Sequence, residues 1–164
     1  MDKGVAFLTE DRRGEGLMME ASISDNIVLP SLVERSSGFM HWLKPAALGQ
    51  AASDVAERVR VNAKAIDRTA VRTLSGGNQQ KVVIAKWLLR APTIFILDEP
   101  TRGIDVGAKY EVYKIINQMV AGGAAILFIG MADRIMVMGR GVVRGFFERA
   151  SFDREAIMKA ALWD

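Results

Sequence analysis

Asp98 and Glu99 stand at the end of Thr93–Leu97, "TIFIL", a run of β-branched and aromatic residues suited to a buried parallel strand. Such a strand delivers two carboxylates to the carboxyl end of a sheet, where open α/β proteins bind ligands. An Asp there can hold Mg²⁺, which prefers oxygen ligands and keeps much of its water. A neighbouring Glu can polarise the water that attacks a phosphoryl group. Taken alone, two solvated acids at a strand end are the plainer reading of the pair.

A second group lies upstream, in "LSGGNQQ", Leu74 to Gln80. Gly76 and Gly77 let backbone come close to an anion, and the Ser75 hydroxyl adds a donor. The helix expected to start near Asn78 offers free N–H groups and the positive end of its dipole. A polar turn that caps a helix is the plainer reading of this stretch by itself. The pattern G-x-x-x-x-G-K-[ST], which usually cradles phosphate, occurs nowhere in the chain.

These residues need elements to hold them, and the pattern along the chain supplies candidates. Val5–Leu8 and Ala124–Ile129 read as buried strands, and "RIMVM" and "GVVRGFF" as a hairpin about a Gly-Arg-Gly turn. "TEDRRGEG" reads as a loop. Ser24-Asp25 precedes an apolar pattern from Ile27 to Val33 that predicts a short helix. Ala46–Val61, Gln79–Leu89 and Gly107–Val120 have helical composition or spacing, and Asp153 caps a last helix over Arg154–Leu162. Ser36–Pro45 is irregular. Strands alternating with helices predict an α/β domain on a mainly parallel sheet.

Composition narrows the class. The 164 residues are 50% hydrophobic and 25% charged, which is globular, and sufficient for one sizeable core. A net charge of +3, with basic residues scattered rather than clustered, argues against a nucleic-acid partner. With no cysteine there is neither a disulfide framework nor thiolate chemistry. The first residues lack the apolar run of a signal peptide, and no run reaches the roughly 18 apolar residues that span a bilayer. Any link to a membrane is therefore expected to run through a partner.

In sequence order, "EDRRGEGL", "LSGGNQQK" and "LDEPTRGIDVGAK" resemble the ATP-binding cassette (ABC) ATPases, with a signature motif, a Walker B strand and a D-loop. They are most similar to the second cassette of the tandem ATPases that drive bacterial monosaccharide importers of the ribose, galactose, arabinose and xylose kind. The resemblance runs from "GVAFLTEDRR" to "RIMVMGRGVVRGFF". It implies a partial P-loop NTPase fold with a helical subdomain over about 26–72, and the signature, Walker B, D-loop and C-terminal part over 73–164. The implied ligands are ATP and Mg²⁺. Ser75, Gly76, Gly77 and Asn78 would contact the γ-phosphate of ATP held mainly by a second cassette. Asp98 would serve Mg²⁺, Glu99 would be the general base, and Asp105 would lie in the D-loop across the dimer interface. Glu10 falls where most cassettes have the Q-loop Gln. The implied partners are transmembrane permease subunits and a second cassette, at the cytoplasmic face of the bacterial plasma membrane.

The chain also departs from that family pattern. The phosphate loop, the strand before it and the adenine-stacking aromatic are missing, so the chain reads as the signature-bearing remainder of a cassette, inactive alone. The strand leading into the phosphate loop would sit beside the one carrying Asp98, so its loss predicts an open slot and self-association. The switch loop after "AAILFI" is missing too, and His41, in the helical middle, reads as an ordinary packed or solvated histidine. Family members place "ILFI" and "RIMVM" as parallel neighbours, and a parallel crossover needs about a dozen residues. Only Gly130–Asp133 stand between them, which implies roughly eight residues lost between Ile129 and Gly130, on the family's crossover length, with the two strands still parallel. Two other readings remain: a cassette ATPase outside transport, and a non-catalytic remnant that only binds a partner. The transported sugar is not legible, because its selectivity belongs to other subunits.

Overall fold

The structure is a computed structural model that describes residues 4–32, 45–129, 134–139, 142–148 and 153–162. His41, the Ile129–Gly130 junction and all of the expected irregular stretch Ser36–Pro45 except Pro45, which begins a helix, lie outside these. The chain divides into two compact units. The first comprises residues 1–10, 92–102 and 109–164, and the second residues 11–91 and 103–108.

A five-stranded sheet in the order β1-β2-β3-β4-β5 organises the first unit. Strand β1 (Val5–Leu8) runs parallel to β2 (Ile94–Asp98), with Leu8 beside Leu97. Strand β3 (Ala125–Ile129) runs parallel to β2 on its other edge and sets Ile129 beside Asp98. These three strands are the parallel half that the apolar runs predict. Helix α4 (Val106–Ala121), which begins in the second unit, buries Val112, Ile115, Ile116 and Met119 at helical spacing. It ends where Gly123, at φ +95°, turns the chain into β3.

Two expectations about this sheet fail. Strand β4 (Arg134–Gly139) pairs with β3 antiparallel, Ile126 beside Met138, where the family resemblance implies parallel neighbours. The physical reason is length: a four-residue link suits a reversal of direction and is too short for a crossover. Nor is a slot open beside the strand carrying Asp98, since β2 is paired on both edges by β1 and β3. The predicted hairpin does form, β5 (Val142–Glu148) running antiparallel to β4 with a register shift at Val137/Met138. Helix α5 (Arg154–Leu162) is capped by Asp153, whose Oδ1 accepts from the Glu155 N–H at 3.1 Å. Its Ile157 joins Leu127, Ile135 and Val137 in a core bordered by Ile96 and Phe147.

Among the described residues of the second unit, α1 (Ile23–Val28) packs on both α2 (Pro45–Arg58) and α3 (Gly76–Leu88). Ile23, Ile27, Ala52, Val55, Val59, Val82 and Ile84 are buried. Helix α1 starts four residues before the predicted Ile27, with Ser22 as its cap. Ser22 Oγ accepts from the Asp25 N–H at 3.0 Å and donates to Asp25 Oδ2 at 2.7 Å, a reciprocal cap. Asn26 is buried and satisfied, bonding Met18 through both backbone groups and the Ser22 carbonyl.

Part of the predicted "TEDRRGEG" loop is ordered as one wide π-type turn, Arg12–Gly16. Asp11 builds it. Its carbonyl accepts from the Glu15 and Gly16 N–H groups, and its Oδ1 from Arg13 and Gly14. A side chain on Gly14 would place its Cβ 2.4 Å from Asp11 Oδ2, so any other residue there would have to displace the carboxylate that caps the turn.

Candidate functional site

Two groups of predicted site residues form, one in each unit. In the first unit β2 brings Asp98 to the end of its ladder, opposite Ile129. Glu99 then leaves the sheet in the left-handed region, at φ +40°, a costly conformation for a residue with a Cβ. Two bonds hold it there: its N–H donates to the Ile129 carbonyl at 2.9 Å, and its own carbonyl accepts from the Arg102 N–H at 3.0 Å. Glu99 therefore stands at a turn rather than in the strand.

Glu10 follows β1 by two residues and reaches the same end of the sheet. Burial pushes the Asp98 carboxyl above the usual carboxylate range, and the charges of Glu10 and Glu99 push it further the same way. Arg102 answers them. Its Nη1 bonds Glu10 Oε1 and lies 3.5 Å from Glu99 Oε2. Thr101 Oγ1 lies 3.3 Å from the Tyr113 hydroxyl, which ties the turn to α4.

This donor set fits a cation held in part by other ligands. Among the described residues no three acids or histidines gather tightly enough to hold a metal by themselves. Mg²⁺ needs no such cage, since one or two carboxylates plus water and substrate phosphate suffice. Three mutually repelling carboxylates, one of them reluctant to ionise, present the chemistry that a divalent cation relieves.

In the second unit Ser75 caps α3, which starts at Gly76, two residues before the predicted Asn78. Ser75 Oγ accepts from the Asn78 N–H at 3.4 Å and from Asn78 Nδ2 at 3.1 Å, and keeps its own hydroxyl proton to donate. Asn78 Oδ1 in turn accepts from the Asn62 N–H at 2.9 Å. Both glycines are also packing positions. A Cβ on Gly76 would lie 3.1 Å from Arg12 Nη2 and 3.3 Å from the Gly103 carbonyl, and one on Gly77 would lie 2.4 Å from the Ala108 Cβ.

Asp105 has a local role that the sequence reading missed. Its Oδ1 accepts from the Ala108 N–H at 2.9 Å, so it caps α4. The same unit therefore brings Ser75, Gly76 and Gly77 against the Gly103–Ala108 segment, while Glu10, Asp98 and Glu99 gather in the other. Arg12, Arg102 and Ala108 were not singled out from the sequence. Arg102 was within reach, since a cation three residues after Glu99 invites an ion pair. Nothing in the pattern marks Arg12 for contact with residues more than sixty positions away.

The chain is similar to known proteins over nearly its whole length. The ABC transporter family matches residues 1–102. A ribose import ATP-binding protein, RbsA, of Geobacillus kaustophilus is 43% identical over 170 residues, covering 98% of this chain and 34% of its own length. Xylose import ATP-binding protein XylG of the same species is 44% identical over 168 residues, covering 96% of this chain and 32% of its own. RbsA of Bacillus cereus is 44% identical over 165 residues. The chain thus spans about a third of the length of the curated relatives it matches. Among solved structures, the ATP-binding cassette MJ0796, described as a dimer in a post-hydrolysis state bound to ADP and Pi, is similar with a TM-score of 0.64. At 19% identity it covers 90% of this chain and 64% of that one, and the likeness establishes the fold.

Proposed function

The chain belongs to the ABC transporter family, and from that membership we propose that it is part of the ATP-binding subunit that energises a bacterial carbohydrate importer. The observation that carries the reading is the 43–44% identity, over nearly the whole chain, to ribose and xylose import ATP-binding proteins. Among the described residues no helix is long and apolar enough to cross a membrane. We place the protein at the cytoplasmic face of the plasma membrane, held there by transmembrane permease subunits. In this reading about 26–72 is the helical subdomain that meets the permease, and 73–164 carries the signature, Walker B and D-loop parts.

ATP and Mg²⁺ are the ligands this reading requires, the metal supplying charge neutralisation at the phosphates when bound. Asp98 is the residue that would hold the metal. Glu99, at the left-handed turn that follows β2, orients water and accepts its proton. Ser75, Gly76, Gly77 and Asn78 present a hydroxyl, close-approaching backbone and the start of α3 to a phosphate bound by a second cassette. Glu10 stands beside the metal position, and Asp105 holds the D-loop turn against the start of α4.

The test is Glu99→Gln in the full-length subunit assembled with its permease. Turnover should fall about 10²-fold or more, the scale of a lost general base, with ATP affinity kept. Unchanged turnover would remove Glu99 from its role. The antiparallel pairing of β3 with β4 favours one further reading, a sheet closed without the switch segment that contacts nucleotide but does not hydrolyse it. A full-length wild-type protein that binds ATP and never turns it over would select that reading.

A further inference from the structure

Besides the expected site residues, one side chain touches both segments that the proposed function sets against a phosphate. Arg12 Nη2 donates to the Gly103 carbonyl at 3.2 Å. The same nitrogen fills the space that a Cβ on Gly76 would need, 3.1 Å away, and lies 3.6 Å from the Cβ position of Gly103, itself at φ +64°. The half-buried guanidinium is thus packed between the Ser75–Gly77 turn and the Gly103–Asp105 loop. The loop that carries it is anchored independently. Lys86 Nζ donates to the Gly16 carbonyl at 2.5 Å, Arg13 Nε lies 3.5 Å from Gln79 Oε1, and Asp11 bonds four backbone N–H groups across the turn. Gln79 is buried and reaches the Val71 and Leu74 carbonyls just before Ser75.

We propose that Arg12 is a positioning residue that sets the spacing between the Ser75–Gly77 turn and the Gly103–Asp105 loop. A planar guanidinium suits this task. Its donors are fixed in one plane, and the nitrogen that bonds the Gly103 carbonyl also fills the space beside Gly76. A lysine would offer a point charge on a flexible stem. The two segments also meet directly, Gly77 at Ala108 and Gly76 at Ile104, and the guanidinium sits where Gly76 and Gly103 leave no side chain between them. The inference rests on the proposed function for its consequence in turnover, but the spacing itself belongs to the fold.

The experiment uses the full-length subunit with its permease, comparing wild type, Arg12→Ala and Arg12→Lys by ATPase rate, ATP affinity and amide hydrogen exchange. Arg12→Ala should lower turnover at least tenfold at unchanged ATP affinity. Its amide exchange should quicken in Gly76–Gln80 and Gly103–Ala108, and stay as in wild type in Val82–Ala85. Arg12→Lys should melt normally and keep a reduced rate. Wild-type turnover in Arg12→Ala, or unaltered exchange in the two segments, would overturn the proposal. If Arg12→Ala does not fold, Arg12→Lys decides, and wild-type exchange together with wild-type turnover in that variant would overturn it. A wild-type subunit without ATP turnover would instead count against the proposed function, and the exchange pattern would still decide the role of Arg12.

Discussion

Gly77 and Ala108 meet so closely that no Cβ fits on the first: one built there would stand 2.4 Å from the Ala108 Cβ. The second glycine of the turn is therefore required by packing as well as by any anion. Gly77→Ala should destabilise the protein by about 1–3 kcal/mol, the usual cost of forcing a carbon into a filled site. Adding Ala108→Gly should restore part of that loss. Denaturant melts of both singles and the double would show it, and additive losses would disprove the contact.

Asp98 should make stability fall with rising pH. Its carboxyl is raised above the ordinary 3.8 by burial, then by Glu10 and Glu99. Between the unfolded and the folded value the native state holds the extra proton, so stability is fully present below 3.8 and is lost as pH climbs through the raised value. Asp98→Asn should remove that decline, and melts taken from pH 3.5 upward should show the curves parting just above the ordinary carboxylate range. Curves that stay parallel would count against the shift.

Lys86→Met keeps most of the buried stem and deletes the ammonium that bonds the Gly16 carbonyl. Burial already lowers the Lys86 pKa, so part of the bond's worth is spent on desolvation. A carbonyl that loses its partner in a partly buried place costs about 1–3 kcal/mol. The expected result is a loss in that range by chemical denaturation, with faster amide exchange confined to Arg12–Leu17. A variant as stable as wild type would mean that water replaces the ammonium without penalty.

The 164-residue chain by itself should bind ATP weakly. In the proposed reading its phosphate donors would be the Ser75 hydroxyl and the first turn of α3, and no G-x-x-x-x-G-K-[ST] loop accompanies them. Calorimetry should give a dissociation constant weaker than about 100 µM, roughly −5.5 kcal/mol. Micromolar binding would show that the turn suffices without a phosphate loop.

Much of this protein can be read from residues alone. "TIFIL" ahead of Asp98 is long enough for one strand, β-branched enough to prefer one, and apolar throughout, so local chemistry and burial agree. The Ser75-Gly76-Gly77 turn and the Asp153 cap are legible for the same reason, since each acts within one helical turn of itself. What tertiary structure decided depends on distance along the chain. The direction of β4 was settled by how far a four-residue link can travel, against the family pattern. The start of α1 was set by Ser22, whose hydroxyl accepts from the Asp25 N–H and whose backbone pairs with Ala70, more than forty residues on, in an isolated bridge. Arg12 reaches Gly76 and Gly103, and Gly77 reaches Ala108, across separations where spacing carries no signal. Such contacts exist only once loops and helices far apart in sequence have packed, because close packing selects which side chains share a space.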